Sequence, residues 1–371
     1  MKFTISQDRL HTIVQKVLNI VPARSTLPVL SNVLVEVTES KLSMKATDLD
    51  ISITSECQAD VSKGGQITIP GRMFAELVRE LPAGDITVSS ADNRIEVKSE
   101  KGVYKLSGIS AEEFPKLPDI DLAKEVKIPG NIFQKMIKKT SFSASRDETR
   151  PALNGILWRT EADKFTMVAT NGHMLSKYTR NGISLQKLKK DIIVSPKALD
   201  YFTKLFGDSN ADIGLIFSDD NLAFILDDTV LTTRLLDGPY PNFEQVIPKE
   251  NDKKLIVEKG DFLSLVRRVA ILSNNITHQV KLSFTKSRMV ISATNFDVGG
   301  EAQDELAIDY KGDDIEIGYN ANYIIEILKN VDTPQLVMEL SGPTAAGIIK
   351  AVSYEENEDY LFLVMPLRLT E

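Results

Sequence analysis

The amino-acid sequence predicts an α+β protein built from three copies of one module, each with two helices packed on antiparallel sheets. Three observations support this prediction: a pattern that recurs about every 124 residues, widespread alternation of apolar and polar residues, and helical periodicity in about two segments per copy. The clearest recurrence is a triplet, Ala-Thr-Asp or Ala-Thr-Asn, that directly follows a predicted alternating strand. It occurs at Ala46–Asp48, Ala169–Asn171 and Ala293–Asn295, with offsets of 123 and 124 residues. Because 371 residues hold three such periods, we predict that the repeat covers the whole chain.

Each copy begins with a strand that leads into an amphipathic helix. These strands start near Lys2, Glu125 and Lys254. The same order returns half a copy later, and second helices are predicted over Arg72–Leu81, Lys197–Phe206 and Asn322–Val331. The rest of each copy consists of short alternating strands, which are typical of antiparallel sheets with one buried face.

Composition places the module boundaries in two loops. Phe114–Asp119 is rich in proline, and Pro248–Asp252 is charged. We therefore predict modules over residues 1–121, 122–250 and 251–371.

The composition also excludes several classes of protein. Apolar residues make up 42% and charged residues 26% of the chain, which is ordinary for a globular protein with a sizeable core. No apolar run approaches the roughly 18 residues of a membrane helix, and no signal peptide opens the sequence. The single cysteine, Cys57, excludes an internal disulfide framework and a cysteine-rich zinc site, and it indicates a reducing compartment.

The sequence contains no recognisable catalytic constellation. Phosphate-loop, zinc-protease and nucleophile-elbow motifs are missing. Acidic pairs such as Asp219–Asp220 lie near predicted strand ends, where solvated turns explain them, and His173 lacks a neighbouring base or nucleophile in the sequence. We therefore expect no enzyme, no catalytic residue, no metal and no cofactor.

Basic side chains recur on the outer faces of the predicted helices although the protein is acidic overall. The formal net charge is −8, which as a bulk property argues against a general nucleic-acid binder. A local basic surface nevertheless suits a phosphate backbone, which attracts Lys and Arg irrespective of base sequence. The basic residues predicted to face outward are Lys16, Lys135, Lys138, Lys139, Arg267 and Arg268 on the first helices, and Arg72, Arg79, Lys197, Lys204 and Lys329 on the second.

Five motifs carry a resemblance to a known family. They are Thr26–Asn32, Ala46–Leu49, Ala169–His173, Ala270–Asn274 and Val364–Leu369. In order, spacing and threefold repetition, the chain closely resembles the bacterial sliding clamp, the beta subunit of DNA polymerase III. The resemblance implies three DNA-clamp domains per chain and a head-to-tail homodimer whose six domains form a ring around duplex DNA. It further implies a cytoplasmic, nucleoid-associated processivity factor that tethers the replicative polymerase to its template.

The resemblance also implies a hydrophobic pocket for short linear peptides from polymerases, the clamp loader and repair proteins. Its wall would comprise Leu153, Thr170, Gly172, His173, Leu175, Pro241, Val246, Leu363, Met365 and Pro366. Two further DNA-facing residues, Arg24 and Arg150, would lie in loops. At the dimer contact, Tyr104 would meet Ile271 and Leu272 of the next chain, and the charged residues would be Arg94, Lys101, Glu301, Asp304 and Glu305.

Two other functions stay open on the sequence alone. One is a repeat-built peptide-binding hub without a DNA role, in which the basic helix faces are merely solvated. The other is an enzyme with its site between modules, although no nucleophile–base pair or metal constellation supports it. Retention on circular but not on linear DNA would separate the clamp from the hub.

Overall fold

The computed structural model describes residues 1–147, 149–185, 188, 190–207 and 211–369. Within these residues, each module repeats one order twice, a strand, a helix and three strands, and the first module adds a short strand. This order confirms the predicted α+β fold of three similar modules.

The strands and helices of the first module are β1 (Lys2–Ser6), α1 (Gln7–Leu18), β2 (Asn32–Thr38), β3 (Lys41–Thr47), β4 (Ile51–Gln58), β5 (Asp60–Lys63), β6 (Gly65–Pro70), α2 (Gly71–Glu80), β7 (Asp85–Ala91), β8 (Arg94–Lys98) and β9 (Val103–Ser107). Those of the second module are β10 (Val126–Pro129), α3 (Gly130–Thr140), β11 (Ile156–Glu161), β12 (Lys164–Thr170), β13 (Met174–Asn181), β14 (Ile192–Val194), α4 (Pro196–Phe206), β15 (Asp212–Phe217), β16 (Asn221–Leu226) and β17 (Thr229–Arg234). Those of the third module are β18 (Lys253–Glu258), α5 (Lys259–Ala270), β19 (Gln279–Thr285), β20 (Arg288–Asn295), β21 (Gly300–Ala307), β22 (Ile315–Asn320), α6 (Ala321–Lys329), β23 (Gln335–Leu340), β24 (Gly347–Ala351) and β25 (Glu358–Val364).

The helices bury one apolar face, as their periodicity predicts. Residues spaced three or four apart are buried in both α1 and α5: Leu10, Ile13, Val14 and Val17 in α1, and Phe262, Leu265, Val266 and Val269 in α5. These positions are equivalent in the repeat, so the two helices pack on their sheets in the same way.

The chain divides into two compact units, each with its own antiparallel sheets. The first unit is Met1–Phe133 with Lys197–Leu235, and its described strands form a sheet of order β5-β1-β7-β8-β9 and a sheet of order β10-β15-β16-β17-β4-β3-β2-β6. The second unit is Gln134–Pro196 with Leu236–Glu371, and its sheets have the orders β14-β11-β12-β13-β25-β24-β23-β18 and β21-β20-β19-β22. The module boundaries stay predictions, since each unit combines parts of successive modules.

Both eight-stranded sheets run from one module into the next. In the first unit, β4 pairs with β17, with Ile53 opposite Leu231. In the second unit, β13 pairs with β25, with Leu175 opposite Leu363. The strands equivalent to these partners, β21 and β9, lie at the ends of their own sheets. Successive modules are therefore joined by backbone hydrogen bonds between equivalent strands.

Candidate peptide pocket and nucleic-acid interface

Four of the predicted DNA-facing residues are exposed and have no ion pair within the described part of the chain. They are Arg24, Arg72, Lys138 and Arg267. Lys204 is also exposed, with its ammonium 5.8 Å from the centre of the Tyr201 ring. Lys16 is half-buried and donates a hydrogen bond to Thr229 on β17 at 3.2 Å.

Five other predicted DNA-facing residues are exposed but form ion pairs with carboxylates of the same chain. The pairs are Arg79–Glu80 at 3.0 Å, Arg150–Asp147 at 2.7 Å, Lys197–Asp48 at 2.5 Å, Arg268–Asp304 at 2.5 Å and Lys329–Glu326 at 2.6 Å. In four of these pairs both side chains are solvent-exposed, and such pairs contribute about 0–1 kcal/mol each, so a phosphate group can replace the carboxylate at little cost. The Lys197 pair differs, because the Asp48 side chain is only 9% exposed and would lose its cation if Lys197 turned to a phosphate.

The prediction that Lys139 lies on an exposed face is wrong. Its side chain is only 2% exposed, and its ammonium donates to the backbone oxygen of Asn330 and to Asp332 Oδ1. The same ammonium lies 4.6 Å from the centre of the Tyr360 ring on β25. Because β25 pairs with β13, the third module covers this part of α3. Lys139 therefore leaves the set of candidate DNA contacts.

Lys135, one turn earlier on α3, is also less exposed than predicted. Its ammonium lies 2.8 Å from Glu358 and 2.9 Å from Glu355, and Glu358 accepts a further hydrogen bond from the Tyr178 hydroxyl at 2.6 Å. Burial lowers the pKa of Lys135, but its hydrogen bonds with Glu358 and Glu355 outweigh this and leave the pKa above its ordinary value. Lys135 and Lys139 thus hold α3 against the third module.

Adjacent lysines on α3 should give opposite results when each is replaced by alanine. Lys139→Ala removes buried hydrogen bonds and should lower the free energy of unfolding by about 1–3 kcal/mol. Lys138→Ala removes only an exposed charge, so it should leave the urea midpoint unchanged while weakening DNA binding at low salt. Urea titration and DNA binding measured on both variants test this; equal midpoints would contradict the buried position of Lys139.

The floor of the predicted peptide pocket is a buried apolar cluster on one face of the second unit's larger sheet. Leu175 on β13 and Leu363 on β25 lie opposite each other and pack in one cluster with Val168 on β12. Tyr240 and Phe243, from the loop that follows β17, pack on the same cluster. Pro241 lies between them in the chain, so the loop carries it beside the cluster.

A tight turn after β12 carries the residues predicted for the polar rim of the pocket. Thr170 donates its hydroxyl hydrogen bond to the backbone oxygen of Met174 at 2.7 Å and accepts one from the Gly172 amide at 3.1 Å. Gly172 has φ +87°, a conformation that favours glycine. The Met365 amide donates to the backbone oxygen of His173 at 2.8 Å. The structure thus brings Thr170, Gly172, His173 and Met365 together.

The remaining predicted pocket residues are placed by their neighbours in the chain. Leu153 directly follows Ala152, and Val246 directly precedes Ile247. Both of these neighbours, Ala152 and Ile247, pack against the apolar cluster. Pro366 directly follows Met365 and is half-buried.

Three aromatic residues of this region were not predicted from the sequence. Tyr240 is half-buried and donates its hydroxyl hydrogen bond to the backbone oxygen of Val168 at 3.3 Å, and burial raises the pKa of that hydroxyl. Phe243 is buried in the cluster. Tyr323 on α6 stacks on His173, with ring centres 6.1 Å apart. The sequence does contain a signal for two of them, because Tyr240 and Phe243 flank Pro241 in one loop, and aromatic residues often anchor a loop to a core.

The residues predicted for a dimer contact lie at the surface of each unit. Tyr104 is on β9, and Ile271, at the end of α5, is 78% exposed. Leu272 follows it and is half-buried, while Arg94, Lys101 and Glu301 are exposed. Asp304 pairs with Arg268 and Glu305 with Arg288 within the chain.

The described residues contain no group of three or more His, Cys, Asp or Glu side chains that could hold a metal ion. In the same part of the chain, every helix is too short or too polar to cross a membrane.

A chain of three similar modules, joined through shared sheets and with exposed basic residues on helices of each, has the features of the class of DNA sliding clamps. Comparisons with known proteins agree. The N-terminal, central and C-terminal domain families of the DNA polymerase III beta subunit match residues 1–118, 127–242 and 244–368. The chain therefore belongs to the DNA polymerase III beta-subunit family, and its function is that of a DNA sliding clamp.

Individual relatives match along the whole chain. The beta sliding clamp of Chlamydia pneumoniae is 31% identical over 370 residues, which cover 100% of this chain and 99% of the relative. The crystal structure of the DNA polymerase III subunit beta from Pseudomonas aeruginosa superposes with a TM-score of 0.94 at 27% identity, covering 100% of both chains. A Bartonella birtlesii sliding clamp bound to griselimycin superposes with a TM-score of 0.94 at 30% identity, also covering 100% of both chains.

Proposed function

We propose that two copies of this chain form a closed ring that encircles duplex DNA and tethers the replicative polymerase to its template. The observation that carries this proposal is that β9 and β21 each lie at the edge of a sheet, with a neighbouring strand on one side only. Within the chain, β4 pairs with β17 and β13 pairs with β25, and both junctions join equivalent strands. The third junction of the same kind would join β21 to β9. A second chain supplies that partner, and a head-to-tail contact that closes after two chains gives a ring.

The surface chemistry of the two strands supports this assignment. An exposed edge strand presents unpaired backbone groups that can hydrogen bond to another strand. Val103 and Tyr104 on β9 and Ile271 beside β21 are exposed apolar residues that a second chain would cover. Arg94 and Lys101 would face the acidic residues Glu301 and Glu305, so the opposed charges are complementary.

Encirclement explains how an acidic protein holds DNA. The exposed basic residues, among them Arg24, Arg72, Lys138 and Arg267, offer weak contacts that any base sequence satisfies. A ring then retains the duplex by topology, and no enzymatic step is required. Retention on circular but not on linear DNA tests this proposal against a peptide-binding hub without a DNA role.

The pocket between the Thr170–Met174 turn and the Pro241 loop would bind short linear peptides of the replicative polymerase, the clamp loader and repair proteins. Its apolar floor and its exposed Met365 fit an adaptable groove that serves several partners. Such a protein would work in the bacterial cytoplasm, associated with the nucleoid.

Met365→Ala should weaken peptide binding about tenfold without changing the assembly. Met365 is 36% exposed beside the His173 turn, so a bound apolar side chain would bury its thioether, and truncation loses that contact. The measurement is fluorescence anisotropy with a labelled test peptide that carries two adjacent large apolar residues, Leu and Phe, chosen to match the apolar floor. Met73→Ala serves as the control, because Met73 is a 57% exposed methionine on α2. If both variants bind the peptide as the parent protein does, Met365 does not line the site.

A further inference from the structure

A cleft of about 460 Å³ lies next to the peptide pocket. Its apolar wall is formed by Leu157 on β11, Ile193 on β14 and Phe243 from the loop. Its charged wall is formed by Arg159, Asp191 and Glu244. No motif in the sequence singles out these charged residues, and the proposed function does not use them.

The cleft and the proposed pocket share one loop and one apolar cluster. The Tyr240 hydroxyl contacts the backbone of Val168 on β12, and β12 lies between β11 and β13 in the sheet. Leu157 on β11 and Leu175 on β13 are thus two strands apart, which is about 10 Å. Pro241 lines the cleft and also belongs to the predicted pocket wall. A peptide in the pocket can therefore reach the cleft with a flanking segment of about five residues, enough to pass over the loop.

The two carboxylates of the cleft accept different numbers of hydrogen bonds. Asp191 Oδ2 accepts hydrogen bonds from Arg159 Nε at 3.0 Å and Nη2 at 2.8 Å, whereas Glu244 accepts only one, from Nη1 at 3.2 Å. The Arg159 guanidinium also lies 5.2 Å from the centre of the Phe243 ring. Glu244 is 64% exposed, and its second carboxylate oxygen has no hydrogen-bond donor among the described residues. Two carboxylates against one guanidinium leave the cleft with a net negative charge.

We propose that this cleft binds a lysine or arginine side chain from the segment that flanks a pocket-bound peptide, and that Glu244 selects for the positive charge. The inference rests on the proposed peptide pocket. The alkyl stem of the incoming side chain would lie along Tyr240 and Pro241, and its cationic head would donate to the free oxygen of Glu244. An acidic flank would meet Asp191 and Glu244 and be repelled.

The test compares peptides that differ only in the flank. Each labelled peptide carries a Leu-Phe pair, five glycine and serine residues and a terminal Lys, Gln or Glu, with the flank placed on either side of the pair. At low ionic strength, we expect the parent protein to bind one of the Lys peptides about fivefold more tightly than its Gln counterpart. Glu244→Gln should abolish this gain, and Glu244→Lys should make the Glu peptide the tighter ligand.

A matched variant separates the cleft from general attraction to an acidic protein. Glu161 lies on the same face of β11 as Leu157 and Arg159, is exposed and does not line the cleft. Glu161→Gln therefore removes a nearby carboxylate but should keep the tighter binding of the Lys peptide. A lysine gain that persists in Glu244→Gln, or no gain in the parent protein, overturns the inference while the pocket stands. Failure of the Leu-Phe pair with a Gln flank to bind at all overturns the pocket and the inference together.

Discussion

Protein loaded by its clamp loader onto a nicked circular plasmid should stay on the DNA through a high-salt wash and leave when a restriction enzyme cuts the circle. Contacts between basic side chains and phosphates weaken steeply with salt; six to ten of them lose about 10³–10⁵ in affinity between 50 and 200 mM. A closed ring on a closed circle has no such dependence, because dissociation requires a break in one of the two. The retained fraction is measured by gel filtration before and after cutting.

Two controls define what this experiment establishes. A plasmid cut before loading should retain almost no protein after the wash. An uncut plasmid treated with heat-inactivated restriction enzyme should retain all of it. Equal retention on circular and linear DNA would contradict topological linkage and favour the hub.

Ile271→Asp should convert the proposed dimer into monomers at micromolar concentration. Ile271 is 78% exposed in the chain, so the substitution leaves the monomer fold intact, but a second chain would bury the new carboxylate against Tyr104. Burying an unpaired charge costs about 3 kcal/mol or more, or roughly a hundredfold in affinity. The proposed ring contains this contact twice, so the expected effect on the dimer is about the square of that factor.

Sedimentation velocity measures the result directly, since the parent protein should have twice the 41.2 kDa mass of one chain. Ile256→Asp is the matched control, because Ile256 on β18 is 53% exposed and lies outside the proposed contact. A parent protein that sediments as a monomer, or an Ile271→Asp variant that sediments as the parent dimer does, would remove this interface.

The sequence predicted what depends on neighbouring residues. The helix positions and the apolar stripe of α1 follow from local periodicity, the repeat follows from comparing segments of the chain with one another, and the structure confirms all three. Lys139 was predicted wrongly because its partners Asn330 and Asp332 are more than 190 residues away in the chain. No helical projection contains that information.

In the candidate pocket too, contacts between distant segments of the chain could not be predicted from the sequence. Its residues came from the family resemblance, whereas the contacts that hold them, such as Tyr240 against Val168, join segments 72 residues apart. The pairing of β4 with β17 could not be predicted either, because strand alternation gives the buried face of a strand but not its partner. The sequence therefore predicted the helices and strands more completely than the way in which they are arranged.

The four ion pairs between exposed side chains on the candidate DNA-facing surface would affect movement along a duplex. At Arg268 and Lys329, an arriving phosphate would take the place of a carboxylate that the protein itself carries. Such an exchange of one anion for another leaves little net attraction at any one register, so neighbouring registers along the helix axis differ little in free energy. A shallow energy profile of this kind means low friction, so the proposed ring would translate quickly along the duplex.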